Sequence, residues 1–194
     1  MANRLVNSDG TPIISSSVTS KAGRTPYFVQ STLDFSKAAT IASSDVVGML
    51  AIPARTVILH TGLEIMTAMN TAANVVPFSM GMYAYTFPTA SGVGIGTGDQ
   101  GTIGSAVDAD EFIAEIDLDD TAAGHVIGSI LKNAANSDIP VLPYLNDVDA
   151  CIALTAGSIT AAPTSGIFRV YATLMDVSDV GDLTSETADR DTLA

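Results

Sequence analysis

His60 and Glu64 come nearest to a ligand pair, standing four residues apart in Ile52-Pro-Ala-Arg-Thr-Val-Ile-Leu-His-Thr-Gly-Leu-Glu-Ile-Met-Thr-Ala68. On a helix that spacing would bring an imidazole and a carboxylate over one metal ion. On a strand both point to the same side, two pleats or about 13 Å apart, too far for one metal unless the chain bends at Gly62. The second histidine, His125, has no motif around it, and no G-x-S-x-G nucleophile elbow occurs. The single cysteine, Cys151, alternates with Ala150 and Ile152 in an apolar run, which reads as a small buried residue rather than a nucleophile. Asp108, Asp110, Asp117, Asp119 and Asp120 are oxygen ligands of the kind that collect a divalent cation. The calcium-loop pattern nevertheless fails, because Phe112 stands where a third ligand belongs and no glycine follows. Gly96-Thr-Gly98-Asp-Gln-Gly101 matches a G-x-G-x-x-G fingerprint, with Asp117 downstream for a ribose contact. Such a fingerprint follows a strand tightly and opens a helix, whereas here a glycine-rich loop intervenes after Phe87 and the residues beyond alternate in twos. With no tryptophan and 6% aromatic residues, a sugar-stacking platform is also poorly supplied. These residues predict no catalysis, no cofactor and no bound metal.

The elements around them read as strands. Counted in twos, Val57, Leu59, Leu63 and Ile65 share one face and Ile58, His60, Glu64 and Met66 the other; helical counting would put Val57, His60, Thr61 and Glu64 on one face, which no core accommodates. Pro53 stands at the start of this long strand, where a missing N–H does no harm, and Gly62 inside it predicts a bulge or bend. Tyr27 to Phe35 alternates in the same way and reads as the first strand of the body. Val75 to Phe87 places Val76, Phe78, Met80, Met82 and Ala84 on one side. Thr89 to Gly104 reads as a loop. Glu111 to Asp119 sets Phe112, Ala114, Ile116 and Leu118 against an acidic, solvated face. His125 to Leu131, Ile139 to Leu145 and Val148 to Thr155 are further short strands, the last with Val148, Ala150, Ile152 and Leu154 inward. Gly166 to Met175 closes the body with Phe168, Val170, Ala172 and Leu174 on its core face. About eight turn-punctuated strands and no convincing helix predict an all-β fold, a β-sandwich or jelly-roll-like body over residues 27–175.

Charge divides the chain. Residues 1–55 carry five basic side chains against three acids, or +2, and residues 56–194 carry three against eighteen, or −15, giving the net −13. An acidic body repels nucleic acid, so no DNA or RNA partner is expected. The amino-terminal Met-Ala-Asn-Arg-Leu-Val-Asn-Ser-Asp-Gly lacks the apolar stretch of a secretion signal, and no run of eighteen apolar residues occurs. Both predict a protein assembled in a cytoplasm without a membrane partner. Residues 1–26 form an extended arm too poor in apolar side chains to fold alone, with Arg4, Lys21 and Arg24 against Asp9. Its charge opposes that of the body, which makes Arg4, Leu5, Val6, Ile13, Ile14, Lys21 and Arg24 the candidate partner-binding residues, ordered by strand addition to another subunit. Residues 176–194, with six acids and one arginine, form a solvated acidic tail. Apolar side chains on both faces of the two longest strands predict a homo-oligomer, since one sandwich core buries one face of each.

Phe28-Val-Gln-Ser-Thr-Leu-Asp-Phe-Ser-Lys37, then Ser44-Asp-Val-Val-Gly48, then Ile52-Pro-Ala-x-Thr-Val-Ile-Leu-x-x-Gly-Leu-Glu-Ile-x-Thr-Ala68, then a glycine-rich acidic middle and a closing Gly166-Ile-Phe-Arg-Val-Tyr-Ala172, resemble small virion structural proteins of tailed bacteriophages. The similarity is in particular to head decoration (cement) proteins. Arg55 stands where the pattern Ile-Pro-Ala-Gly-Thr has glycine. The resemblance implies a β-sandwich, often trimeric, on the outside of an icosahedral head, bridging subunits of the major capsid protein; it implies no site residues. A tail, neck or fibre-associated protein is the alternative, and a carbohydrate-binding or hydrolytic β-sandwich domain using His60, Glu64 or the acidic stripe a distant one.

Overall fold

The computed structural model describes residues 3–4, 25–37, 41–69, 76–87, 101–118, 126–128 and 143–177. Among these, every regular element is a strand: β1 (Asn3–Arg4), β2 (Tyr27–Asp34), β3 (Val46–Ile52), β4 (Thr56–Thr67), β5 (Pro77–Thr86), β6 (Thr102–Asp117), β7 (Val126–Gly128), β8 (Tyr144–Asn146), β9 (Ala150–Ala156) and β10 (Ile167–Asp176). They form two sheets, one ordered β1-β3-β9-β5-β6 and the other β2-β10-β4-β7, with β8 also on β4. Only β1 on β3 is parallel; the other pairs are antiparallel. The all-β sandwich expected from the alternation is therefore what forms.

The core lies between the sheets. Alternation on β2 and β10 sends Val29, Leu33, Phe168, Val170, Ala172 and Leu174 inward, where they meet Leu50, Ile52, Met80, Ile152 and Leu154 of the first sheet. Phe35 ties the layers together, with its ring edge-on to Phe168 at 5.3 Å and to Phe78 at 5.9 Å. Edge-to-face contacts of this kind add roughly 0.5–1.5 kcal/mol beyond the area buried. Strands β3 and β9 of the first sheet are buried on both sides. A second cluster of Val46, Ala51, Tyr83, Tyr85, Ile103, Cys151 and Ala153 covers their far face, with the Tyr83 hydroxyl 2.7 Å from Thr155 Oγ1. Hence β3 is buried at all seven positions.

Strand β4 departs from simple alternation. His60 pairs with Thr173 and Ile58 with Leu174, so Leu59 is an extra residue; Thr67 pairs with Ile167 and Ile65 with Phe168, so Met66 is another. The bends are at these two bulges, not at Gly62. A bulge inserts one residue and reverses the faces beyond it, so Ile58, expected outward, lies fully buried with Leu63 and Ile65, and the expected core residue Leu59 is half-exposed. Two further expectations are corrected. β6 begins at Thr102, inside the stretch read as loop, and buries the adjacent Phe112 and Ile113, because repeated register breaks against β5 interrupt its alternation. Val148 precedes β9 in a turn and is 51% exposed.

The turns that start β3 and β4 have special backbone geometry. Among the described residues, Ser44 and Arg55 are the non-glycine residues with positive φ, at 67° and 60°. L-residues rarely adopt that left-handed region, at a cost of roughly 1–2 kcal/mol, so the surroundings must hold it. At the first turn the Asp45 carboxylate accepts the Ala42 N–H at 3.0 Å, and the Ser44 N–H donates to Ala156 O. At the second, buried Asn146 donates through Nδ2 to Pro53 O at 3.1 Å and to Val148 O at 2.5 Å, while Ala54 N–H donates to Asp149 Oδ1 at 2.9 Å.

Candidate functional site

His60 and Glu64, the nearest approach to a ligand pair, share one sheet face but are engaged separately. His60 and Glu64 both point outward from β4, where register sets them opposite Thr173 and Arg169 of β10. Glu64 Oε2 accepts an ion pair from Arg169 Nη1 at 3.2 Å, and Arg169 Nε is buried with no hydrogen-bond partner. The His60 ring instead stacks on Tyr171 at 5.6 Å, and Tyr171 stacks on Phe28 of β2 at 6.0 Å. The result is an aromatic row across three strands: Phe28, Tyr171, His60. Burial, and then the Glu64 charge, push the Tyr171 hydroxyl above the usual phenol range. The outward face also carries Gln30, Thr32 and Thr173, and Asp34 on it pairs with Lys37 at 3.8 Å. Face residues of this kind, aromatic and with their charges paired, suit contact with protein rather than proton transfer.

The acidic stripe lies on β6. Asp117 Oδ1 accepts Val76 N–H at 3.2 Å and Asp108 Oδ1 accepts Asp110 N–H at 3.3 Å, so two of its carboxylates hold backbone. Among the described residues no group of three or more His, Cys, Asp or Glu is placed to hold a metal ion. Asp119, Asp120 and His125 lie outside the described residues. Of the G-x-G-x-x-G match only Gly101 is described, and the element that follows it is a strand rather than the helix a phosphate cradle requires.

Of the candidate partner-binding residues, Arg4 is placed in β1, with its backbone beside Val47 of the same chain. Leu5, Val6, Ile13, Ile14, Lys21 and Arg24 lie outside the described residues. Cys151 is fully buried in the second cluster, and burial pushes its thiol up to about 12. The folded chain thus keeps a proton that the unfolded chain releases near the ordinary thiol value. Stability is whole below about pH 8.5 and declines toward pH 12 by up to about 1.4 kcal/mol per pH unit from this group. Thermal unfolding at pH 8 and pH 10.5 is expected to show a steeper loss in the native chain than in Cys151→Ala.

Neither a protein-family model nor a curated protein matches the chain. Phage capsid structures are similar to it. The capsid of Ralstonia phage GP4 matches at 12% identity over 81% of this chain and 86% of that one, with a TM-score of 0.46. The acid-stable capsid of Helicobacter pylori bacteriophage KHP30 matches at 11% identity over 78% and 90%, with a TM-score of 0.45. The capsid asymmetric unit of cyanophage Pam1 matches at 13% identity over 84% and 92%, with a TM-score of 0.47.

Proposed function

We propose that this chain is a non-enzymatic structural protein of a bacteriophage virion, a decoration or cement protein that binds the outside of the head and bridges subunits of the major capsid protein. The observation that carries the reading is Arg55. It has a φ of 60° at the one place in Ile52-Pro-Ala-Arg-Thr56 where the resembling decoration-protein pattern has glycine, the residue that reaches this conformation without strain. Ser44, in the second quoted motif, is likewise left-handed, and the two residues stand just before β3 and β4. As a homo-oligomer, for which the resemblance implies trimers, such a sandwich would present its acidic body to solvent.

The basic arm is the attachment element in this reading. Ordering an arm of this length on the head would cost about 1–2 kcal/mol of backbone entropy per residue, so such a contact would have to be extensive. Deleting residues 1–26 is expected to leave a soluble, folded body that no longer binds heads. Full occupancy of heads by the truncated chain would place the attachment surface elsewhere. The reading as a whole is tested on purified particles: the chain should be present at near-stoichiometric copy number and lie outside the shell in a particle map. Density at the neck, tail or fibres would make it a structural protein of that part instead.

A further inference from the structure

Sheet edges expose unpaired N–H and C=O groups, and proteins blunt them with short strands, bulges, proline or charge. Three of the four edges here are blunted. β1 pairs with β3 at Val46 and Val47, and β3 is buried along its whole length; β6 is broken by register shifts and carries Asp108, Asp110, Glu111 and Glu115; β7 and β8 are three residues long. The fourth edge, β2, is eight residues long, pairs with β10 in an unbroken register, and contains no proline, glycine or lysine. Among the described residues nothing lies along its other side.

The hydrogen-bond phase shows which groups that side presents. Phe35 N–H donates to Gly166 O at 3.0 Å, in register with the pairing of Asp34 and Ile167. The odd-numbered residues of β2 therefore direct their backbone groups to β10, and Phe28, Gln30, Thr32 and Asp34 direct theirs outward. On the same margin Phe28 ends the aromatic row and is 59% exposed.

We propose that β2 pairs antiparallel with β2 of a second copy of this chain, extending the second sheet across a two-fold axis. Its charge pattern selects a second copy. Residues 27–33 are uncharged, which matters for a protein of net charge −13, whose copies otherwise repel. With the axis at Ser31, Gln30 pairs with Thr32 of the mate and Phe28 with its Asp34, so every outward group finds a partner. The two Asp34 carboxylates then stand at opposite ends, about 20 Å apart and beyond the roughly 8 Å Debye length of physiological salt. This contact goes beyond the virion reading and does not depend on it; a trimer would carry three such edges and join a second trimer through them.

The full chain, Gln30→Pro, Phe28→Lys and the control Val107→Lys on β6 would be weighed by native mass spectrometry and sedimentation, up to about 100 µM, where a contact of micromolar Kd is filled. Proline at position 30 removes an amide that the single chain does not use, and lysine at position 28 charges the edge without entering the core. The expected result is a native mass of an even number of chains, halved in both edge variants and unchanged in the control. If Gln30→Pro fails to fold by circular dichroism, Phe28→Lys decides. An odd-numbered native protein at every concentration, or a mass that the folded edge variants leave unchanged, overturns the proposal. So does an odd-numbered protein whose head binding is lost in Phe28→Lys, which would assign the edge to another partner. A monomer present stoichiometrically on particles sinks this contact and leaves the virion reading standing; an even-numbered protein absent from particles does the reverse.

Discussion

Phe168→Ala is expected to destabilise the chain by about 3–5 kcal/mol, the range for removing a buried aromatic ring. Phe168 has no exposed surface and lies against Phe35, which in turn touches Phe78 across the sandwich, so the cavity would open at the junction of the two sheets. Both sheets supply its walls through strands with fixed registers, which limits collapse around the void. For a chain of this size each kcal/mol is worth about 2–4 °C, so the melting temperature should fall by roughly 6–20 °C. Urea unfolding of Phe168→Ala and Phe168→Leu measures it, with leucine recovering most of the loss. A cost below about 1 kcal/mol for alanine would mean that Phe35 and Phe168 do not join the layers as described.

Gly81→Ala should also be strongly damaging, for the opposite reason. A Cβ at Gly81 would overlap the carbonyl oxygen of Asp108 and the carbonyl carbon of Ala109, and would lie 2.6 Å from Ala109 O. These are backbone atoms of β6, at the place where Met80 pairs with Ile113 and Met82 with Asp108. No side chain can swing aside to make room, so β6 itself must shift. The expected cost is about 3 kcal/mol, the upper part of the range for overpacking. Its signature differs from that of Phe168→Ala: amide exchange should accelerate on β6 while β10, in the other sheet, stays protected. Uniform loss of protection in both sheets would contradict a local clash.

The candidate surface was legible one residue at a time. Phe28 and His60 each fall on the outward side of their strand by simple counting. Their alignment with Tyr171 was not legible, because residues 28, 60 and 171 meet only through the registers of β2 and β4 on β10. The value of β2 as an edge was equally hidden, since being an edge is a property of sheet order and not of the strand's own residues. Arg55 is a partial exception. Its left-handed backbone had a signal in the sequence, the glycine of the resembling pattern, though composition alone would never have supplied it.

By itself the sequence determined the fold class, the inward faces of β2, β9 and β10, and the inert character of Cys151, because alternation and burial are written locally, residue by residue, at a period of two. It also determined the opposition between a basic amino-terminal segment and an acidic remainder, which is a matter of counting charges. Only the tertiary structure decided which way Ile58 points, how far β6 extends, that β3 and β9 are buried on both faces, and which strand is left unpaired. The physical reason is common to all four. A single inserted residue reverses a face, and a partner strand distant in the chain supplies the cover and the hydrogen bonds, so these features follow from pairings that local periodicity does not encode.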